Sequence, residues 1–221
     1  MKAMILAAGH GQRLKPLTNN TPKPLLEVGD KPLLAHQLGW LRNAGIEEVV
    51  INLHYLGEQI EKYCQNGEAF GIRIHYSYED VLLETAGGII NALPLLGEEP
   101  FILLNGDIFT AFPFRDLINT IPQWSQAHLV LTPRPKNIDA GDFRYSNGKI
   151  ISRGDDYIYC GIGVVRPSWL NKYPIKPLPL REPLFEAIEN DQVSGEIWEG
   201  DWVDIGSHTE FNKLNRRLEK K

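Results

Sequence analysis

Apolar residues in the first half of the chain follow two alternating patterns. Short runs of four to six mostly apolar residues recur, and such runs are typical of strands buried on both faces of a parallel sheet. Between them, apolar residues three or four positions apart, such as Leu34, Leu38 and Leu41, indicate helices with one buried face. The pattern predicts strands over residues 3–7, 48–53, 72–76 and 101–104, and helices over residues 32–44, 56–65 and 85–93.

The ends of these helices are marked by residues that favour caps and turns. Asp30 is a candidate N-terminal cap for the first helix, and Gly45 is expected to end it. Gly67 is expected to close the second helix and Pro94 to stop the third, since proline lacks the N–H group that a helix interior needs.

The pattern changes after about residue 110. Asn147-Gly148 stands between two β-prone runs, which predicts a hairpin with a type I′ turn over residues 143–151. We expect it either to join the sheet or to form a small flap beside it. A strand over residues 157–165, a proline-rich loop over 174–183, and helices over 184–189 and 207–218 complete the prediction. The fold class is therefore α/β, with a Rossmann-like mixed, mainly parallel sheet flanked by helices and a small antiparallel extension.

Charge and composition narrow the possible partners. The 221 residues include 23 Lys and Arg against 28 Asp and Glu, for a net charge of −5. The only concentrated basic run, over residues 215–221, is typical of a solvated helix end, so no nucleic-acid partner is predicted. No segment approaches the roughly 20 apolar residues of a membrane span, so no membrane partner is predicted. The two cysteines, Cys64 and Cys160, are far apart and predict no disulfide framework, which indicates a reducing, cytoplasmic location.

A glycine-rich loop, Gly-His-Gly-Gln-Arg-Leu at residues 9–14, follows the first strand. Backbone N–H groups in such a loop can bind an anion. The loop is not a dinucleotide fingerprint, which needs a third glycine where Leu14 stands, and no Gly-Lys-Ser/Thr follows as a Walker A loop requires. Pro16, Pro22 and Pro24 instead predict a long extended segment. On its glycines alone, a plain turn is an equally good interpretation.

The longer stretch over residues 6–18, together with Thr-Pro-Lys-Pro-Leu-Leu at 21–26, resembles the signature of the sugar-nucleotide pyrophosphorylases, the sugar-1-phosphate nucleotidyltransferase family. This resemblance implies the nucleotide-diphospho-sugar transferase fold and transfer of a nucleotidyl group to a sugar 1-phosphate. Arg13 and Lys23 are then the candidate catalytic cations. A guanidinium can fork onto phosphate oxygens, and an ammonium held between prolines supplies a point charge near the α-phosphate. A purely solvent-exposed charge is the alternative for Lys23.

Two aspartates each follow an apolar run and have a glycine within two positions. Asp107 ends the run over residues 103–107, at the carboxyl edge of the predicted sheet, and Asp204 lies within the run over 202–206. Mg²⁺ is usually held by one or two carboxylates together with substrate phosphates. Taken alone, each aspartate is better explained as a turn or helix-cap residue. The resemblance implies that both bind Mg²⁺ and that Asp107 is also catalytic.

The resemblance also assigns the remaining site residues. It implies a nucleotide-binding set of Leu6, Ala8, Gly9, Gly11, Gln12, Arg13, Lys23, Gly87 and Gly88. In this set the base is read by backbone groups near Leu6 and Ala8 and by the glycine pair. Close packing of a helix on the sheet is the alternative for Gly87 and Gly88. Asn105 and Asp142 are implied to hydrogen-bond the sugar.

Four further runs of this sequence resemble the N-acetylmuramate-1-phosphate uridylyltransferases within the family. They lie at residues 83–89, 141–144, 161–164 and 193–196. This similarity implies UTP and N-acetylmuramate 1-phosphate as substrates and Mg²⁺ as cofactor. It also implies one domain over residues 1–221, with a nucleotide-binding half over 1–110 and a sugar-binding half with a closing helix over 111–221. The sequence carries no signal for an oligomeric state.

Three departures from the family pattern bear on specificity. His10 stands where a basic residue is usual, Ala86 stands where a glycine can occur, and the Val-Glu-Lys motif of thymidylyltransferases is absent. A mannose-1-phosphate guanylyltransferase, or another sugar-1-phosphate nucleotidyltransferase, is the alternative enzyme. A non-catalytic regulatory protein that binds nucleotide sugars is the alternative outside enzymes.

Overall fold

The computed structural model describes residues 1–135 and 138–219, so the last two residues of the basic tail lie outside it. In the first half, the four predicted strands and three predicted helices alternate as expected, together with three strands of two or three residues that the pattern did not predict. The elements are β1 (Ala3–Leu6), β2 (Glu27–Val28), β3 (Lys31–Pro32), α1 (Leu33–Asn43), β4 (Glu48–Leu53), α2 (Gly57–Cys64), β5 (Arg73–Tyr78), α3 (Glu84–Leu96), β6 (Phe101–Asn105) and β7 (Ile108–Thr110).

The second half contains the predicted hairpin and several strands that the pattern did not predict. Its elements are β8 (Ala127–Pro133), β9 (Phe143–Ser146), β10 (Lys149–Arg153), β11 (Tyr157–Val165), α4 (Pro167–Leu170), α5 (Arg181–Glu189), β12 (Val193–Ile197), β13 (Trp202–Asp204) and α6 (His208–Leu218). Asn147 and Gly148 have φ values of 50° and 80°, as a type I′ turn requires.

The described residues form one large sheet with the strand order β5-β4-β1-β6-β11-β8-β12-β10-β9. Seven of these nine strands run in the same direction, and only β10 and β11 run against them. The mixed, mainly parallel sheet is therefore confirmed. The hairpin β9–β10 joins the sheet at one edge and does not form a separate flap.

Strand β1 lies in the middle of the parallel region and is packed on both faces. Ile5 packs in one apolar cluster with Leu38 of α1 and Ile60 of α2. Met4 faces the opposite cluster, which includes Ile89 of α3, because successive side chains of a strand point to opposite faces. Burial on both faces fixes the end of β1, from which the glycine-rich loop departs.

A separate two-stranded ribbon joins β7 to β13. In it Asp204 lies opposite Ile108, and the N–H of Ile205 donates to the carbonyl oxygen of Asp107 at 2.9 Å. The ribbon thus brings Asp204 next to Asp107, although the two are distant in the chain.

Several predicted boundaries are wrong. Pro32, not Asp30, occupies the cap position of α1, without a side-chain hydrogen bond, and Gln65 rather than Gly67 follows α2. Pro94 does not end α3 but lies inside it, and the helix continues to Leu96, whose side chain is buried. Pro183 lies in the first turn of α5 rather than in the loop, since the first N–H groups of a helix need no internal partner.

The segment that follows β1 is also more regular than predicted. Instead of an extended loop it contains three short 3₁₀ turns, Gln12–Leu14, Leu17–Asn19 and Lys23–Leu25. Pro16 and Pro22 precede the second and third turns, where the fixed φ of proline suits the start of a helical turn. Among the described helices, none combines the length and apolar character needed to cross a bilayer.

Candidate active site

A cavity of about 430 Å³, here called the strand-end cavity, opens where β1 ends. Open α/β sheets commonly bind ligands at the carboxyl ends of their parallel strands. The predicted catalytic, metal-binding, nucleotide-binding and sugar-binding residues that line this cavity are Leu6, Ala8, Gly9, Gly11, Gln12, Arg13, Lys23, Asn105 and Asp107. The structure therefore brings together the loop, the candidate cations and one of the two carboxylates.

Contacts inside the loop hold its backbone in a fixed curve. Gly11 has a φ of 61°, and a Cβ atom added there would lie 2.9 Å from Cγ2 of Thr18. The hydroxyl of the fully buried Thr18 donates to the carbonyl oxygen of Gly11 at 2.8 Å, and the N–H of Leu14 donates to the same oxygen at 2.9 Å. Glycine is required at position 11 both for its backbone conformation and for the space that Thr18 takes.

Lys23 and Asp107 form the central ion pair of the cavity. Their Nζ and Oδ2 atoms are 2.7 Å apart, and the two side chains are 13% and 28% exposed. Lys23 begins the third 3₁₀ turn directly after Pro22. Asp107 is positioned by Gly106, whose N–H donates to the carbonyl oxygen of Leu6 at 3.0 Å. A Cβ at residue 106 would lie 2.3 Å from that oxygen, so only glycine permits this approach.

Asp204 completes a pair of neighbouring carboxylates. Its Oδ1 atom is buried and has no hydrogen-bond partner among the described residues. Burial, followed by the negative charge of Asp107, raises the pKa of Asp204 above its ordinary value, while Lys23 and Arg13 act in the opposite direction. A buried, unpartnered carboxylate oxygen beside a second carboxylate is a donor set that suits a hard divalent cation.

The number of acidic ligands also bears on the kind of metal. Within residues 1–135 and 138–219, no group of three or more His, Cys, Asp or Glu side chains is arranged to hold a metal. Mg²⁺ commonly uses one or two carboxylates and takes its other ligands from water and substrate phosphates. The pair Asp107 and Asp204 therefore fits Mg²⁺.

Arg13 links this pair to the C-terminal part of the chain. Its guanidinium lies against Gly206, where an added Cβ would be 3.1 Å from Nη1. Arg13 lines the strand-end cavity and also a second cavity of about 590 Å³ beside α6, which Asp204 lines as well. The side chain of Arg13 thus extends from the glycine-rich loop toward the cavity that Asp204 lines.

A third cavity, of about 710 Å³, here called the hairpin cavity, lies between the β9–β10 hairpin and α5. It shares Glu84, Thr85 and Asn105 with the strand-end cavity, so the two spaces adjoin. Asn105 and Asp142, the two predicted sugar-binding residues, both line it. The Oδ2 atom of Asp142 accepts a hydrogen bond from the N–H of Tyr159 at 2.9 Å.

Gly87 and Gly88, which were predicted to contact the base, lie in the predicted third helix. They lie within α3 and are not among the described residues that line the strand-end cavity. The N–H of Gly87 donates to the carbonyl oxygen of Leu178 at 3.1 Å, and a Cβ there would be 2.3 Å from the carbonyl oxygen of Lys176. A Cβ at Gly88 would be 2.6 Å from Oε1 of Glu79. Both glycines therefore allow α3 to pack closely on neighbouring atoms, as the alternative interpretation expects.

A buried hydrogen-bond network that was not predicted from the sequence lies at the wall of the strand-end cavity. The N–H of Ala7 donates to Oδ1 of Asn52 at 2.8 Å, and Nδ2 of Asn52 donates to Oε1 of Glu79 at 2.7 Å. The second oxygen of Glu79 accepts from the N–H of Leu83 at 2.9 Å. The network therefore ties the end of β1 to the turn that begins α3, two walls of the same cavity.

One sequence signal does point to Asn52. It follows the apolar run Val49 to Ile51 near the carboxyl end of strand β4, as Asn105 follows the apolar run of β6. The register places both asparagines opposite Leu6 of β1. A polar residue at the end of an apolar strand is thus a useful marker of the site in this fold.

Comparisons with known proteins agree with this geometry. A family model described as nucleotidyl transferase matches residues 2–143. An N-acetylmuramate alpha-1-phosphate uridylyltransferase from Neisseria meningitidis serogroup B is 41% identical over 216 residues, which cover 94% of each chain. A mannose-1-phosphate guanylyltransferase catalytic subunit beta from Dictyostelium discoideum is 33% identical over 96% of this chain, which spans 62% of that longer protein.

The fold is shared with solved structures of low sequence identity. A Bacillus anthracis protein provisionally described as a glucose-1-phosphate thymidylyltransferase superposes with a TM-score of 0.88 at 21% identity, covering 100% of this chain and 96% of the other. At that identity the likeness concerns the fold alone.

Proposed function

The chain belongs to the nucleotidyl transferase family, and from that premise we propose that it transfers a uridylyl group from UTP to N-acetylmuramate 1-phosphate. The observation that carries the reaction class is the 2.7 Å contact between Lys23 and Asp107 in the strand-end cavity, with Asp204 beside it. The substrate pair is supported by the 41% identity to the meningococcal uridylyltransferase over nearly the full length of both chains.

The proposed reaction is an in-line displacement at the α-phosphorus of UTP. A phosphate oxygen of the sugar phosphate forms the new P–O bond. The bond from the α-phosphorus to the oxygen that bridges to the β-phosphorus breaks, and its electron pair leaves with pyrophosphate. Nothing in this scheme needs a covalent enzyme intermediate, so catalysis depends on positioning the reactants and on stabilising negative charge.

Lys23 and Arg13 are the proposed charge-stabilising residues. Lys23 is mostly buried and held by Asp107, so its ammonium is in place before substrate arrives, and we assign it to the α-phosphoryl oxygens. Arg13 lines the strand-end cavity and the cavity beside α6, and its fork of N–H donors suits the leaving pyrophosphate.

Asp107 and Asp204 would hold Mg²⁺. When bound, the ion supplies positive charge that offsets the phosphate charge of the triphosphate. The protein's own contribution is the β7–β13 ribbon, which keeps the two carboxylates adjacent, and the burial of Asp204, which favours a cation partner.

The remaining predicted residues divide between base and sugar. Leu6, Ala8, Gly9, Gly11 and Gln12 line the strand-end cavity and are proposed to contact the nucleotide through backbone and loop groups. Asn105 and Asp142 line the adjoining hairpin cavity and are proposed to bind the sugar. Gly87 and Gly88 would act indirectly, by allowing α3 to pack beneath the site.

A pyrophosphate-release assay tests this function. The protein is incubated with Mg²⁺, each of the four nucleoside triphosphates, and a panel containing N-acetylmuramate 1-phosphate, N-acetylglucosamine 1-phosphate, mannose 1-phosphate and glucose 1-phosphate. UTP with N-acetylmuramate 1-phosphate should give the highest kcat/KM. A clear preference for any other pair would refute the proposed specificity while leaving the reaction class intact.

Two alternatives predict different outcomes in the same assay. The 33% identity to mannose-1-phosphate guanylyltransferases favours GTP with mannose 1-phosphate as the second candidate pair. A non-catalytic nucleotide-sugar-binding protein would bind UDP-sugar but release no pyrophosphate with any pair. The cytoplasmic location is likewise proposed, supported by two buried free cysteines that suit a reducing compartment.

A further inference from the structure

The hairpin cavity contains two arginines that the proposed roles leave unused. Arg153 ends β10 and Arg181 begins α5, and both line the cavity. The hairpin cavity shares Glu84, Thr85 and Asn105 with the strand-end cavity. These three residues mark the near end of the hairpin cavity, the end that adjoins the strand-end cavity. Arg153 and Arg181 line the hairpin cavity but not the strand-end cavity, so they lie outside the part that the two spaces share.

The position of Arg153 is fixed by the sheet and by an aromatic ring. In the hairpin register Arg153 lies opposite Phe143, and directly opposed residues of two strands face the same side. Its guanidinium carbon lies 5.1 Å from the ring centroid of Phe185 in α5, a cation–π arrangement that orients the group. The positive charge is thus held in the cavity by neutral contacts.

Neither arginine is neutralised by an acid. Among residues 1–135 and 138–219, no Asp or Glu oxygen lies within ion-pair distance of Arg153 or Arg181. Of the acids that line the cavity, Glu84 is at the near end, and Asp142 accepts from the N–H of Tyr159. Glu182 follows Arg181 in α5 and pairs with neither arginine. Both cations therefore remain free to bind an anionic group of a ligand.

The chemistry of the proposed substrate supplies such a group. N-Acetylmuramate differs from N-acetylglucosamine by a lactyl ether at C3, which ends in a carboxylate. Its C1 phosphate must approach Lys23 and Asp107, and the C3 substituent, two ring positions from C1, would extend into the adjoining hairpin cavity. Arginine is well suited to a carboxylate because it can donate two parallel N–H···O bonds.

We propose that Arg153, assisted by Arg181, binds the lactyl carboxylate and so selects N-acetylmuramate 1-phosphate over N-acetylglucosamine 1-phosphate. This assignment rests on the proposed function. Arg153 acts on specificity and takes no part in the bond-making step, so its effect depends on whether the acceptor carries the carboxylate.

The test compares the two acceptors at saturating UTP and Mg²⁺. For the wild type, Arg153→Gln, Arg153→Lys and Arg181→Gln, kcat/KM is measured with each sugar phosphate. Arg153→Gln should lower kcat/KM for N-acetylmuramate 1-phosphate by about 10- to 100-fold, the loss expected for a charge-assisted hydrogen bond. The value for N-acetylglucosamine 1-phosphate should stay within about twofold. Arg153→Lys should keep part of the preference, and Arg181→Gln should show a smaller loss.

Arg144→Gln serves as the matched control, because Arg144 lies on β9 next to Phe143, on the opposite face of the same hairpin. It should leave the ratio of the two kcat/KM values unchanged. Thermal melting checks that each variant folds.

Each remaining outcome counts against the assignment. If Arg153→Gln keeps the wild-type ratio, or lowers both acceptors equally, Arg153 does not read the carboxylate and the proposed uridylyl transfer stands. If the wild type shows no preference for the acceptor with the carboxylate, both the assignment and the proposed substrate are wrong.

Discussion

Lys23 Nζ lies 2.7 Å from Asp107 Oδ2, although 84 positions separate the two residues in the chain. The contact depends on Gly106, whose close approach to the carbonyl oxygen of Leu6 sets Asp107 beside the end of β1. It also depends on the turn between Pro22 and Pro24 that presents Lys23. The cation proposed to contact phosphate is thus kept in position by the acid proposed to bind the metal.

Replacing Lys23 should therefore impair chemistry more than folding. Lys23→Ala is expected to lower turnover by on the order of 10² or more, since a positioned charge at the reacting phosphate is lost. The Lys31→Ala variant is the matched control, because Lys31 also precedes a proline but is exposed and outside the cavities. Steady-state pyrophosphate release measures both. Near-normal turnover of a folded Lys23→Ala protein would remove this residue from the mechanism.

The two aspartates should control metal binding directly. Asp107→Asn and Asp204→Asn are each expected to weaken Mn²⁺ binding in the presence of UTP by about tenfold or more, because Mn²⁺ uses the same oxygen ligands as Mg²⁺. Electron paramagnetic resonance of free Mn²⁺ gives this value independently of turnover. Asp191→Asn, at an exposed turn, should bind Mn²⁺ as the wild type does. Unchanged binding in both site variants would show that the metal lies elsewhere.

Strands β1, β4 and β6 of the large sheet could be predicted from sequence because each carries its own apolar run. The hairpin could be predicted because Asn147 and Gly148 suit the φ values of its turn. Strand β12 could not be predicted in this way, because Ser194 and Gly195 interrupt its apolar pattern. It is a strand because it pairs with β8 in the sheet. β8 was not predicted either, although its apolar run Leu129 to Leu131 is a signal that could have identified it.

The site was predicted as a set of residues but not as a geometry. That Asp204 lies beside Asp107 depends on the β7–β13 ribbon, whose three-residue strands carry too short a pattern to be recognised. Gly87 and Gly88 were assigned to the base because small residues allow a ligand to approach, yet the same property allows helix packing. Local sequence does not distinguish the two uses.

The packing role of Gly88 leads to a stability prediction. In Gly88→Ala the new methyl group would lie 2.6 Å from Oε1 of Glu79 and 2.9 Å from Nδ2 of Asn52, which must move apart from it. We expect a loss of about 1–3 kcal/mol in the free energy of unfolding, as for other overpacked sites. Gly39→Ala in α1 has no atom within 4 Å of the new Cβ and should gain about 0.5–1 kcal/mol.

Urea unfolding followed by circular dichroism compares the two glycine variants. Because Asn52 and Glu79 also hold the backbone at Ala7 and Leu83, Gly88→Ala should in addition raise KM for UTP, whereas Gly39→Ala should not. Equal stability of the two variants would mean that the Asn52–Glu79 network tolerates the extra methyl group.

The two buried cysteines predict how stability depends on alkaline pH. Burial raises the pKa of the Cys64 and Cys160 thiols from an ordinary value of 9.0 to about 12. Between these values the folded protein keeps protons that the unfolded chain loses, so their contribution to stability is complete below pH 9 and falls as pH rises toward 12. The free energy of unfolding should drop by up to about 1.4 kcal/mol per pH unit and per thiol in this range.

Partly buried tyrosines such as Tyr76, whose pKa is also raised by desolvation, add to the alkaline loss, so the contribution of the thiols must be isolated by mutation. The double variant Cys64→Ala, Cys160→Ala should show a shallower decline in the free energy of unfolding from pH 9 to pH 11 than the wild type, as measured by urea titration at each pH. Ellman's reagent at pH 8 should label neither thiol in the native protein and both after unfolding in urea. Rapid labelling of the native wild type, or identical slopes for the two proteins, would show that the thiols ionise without opening the core.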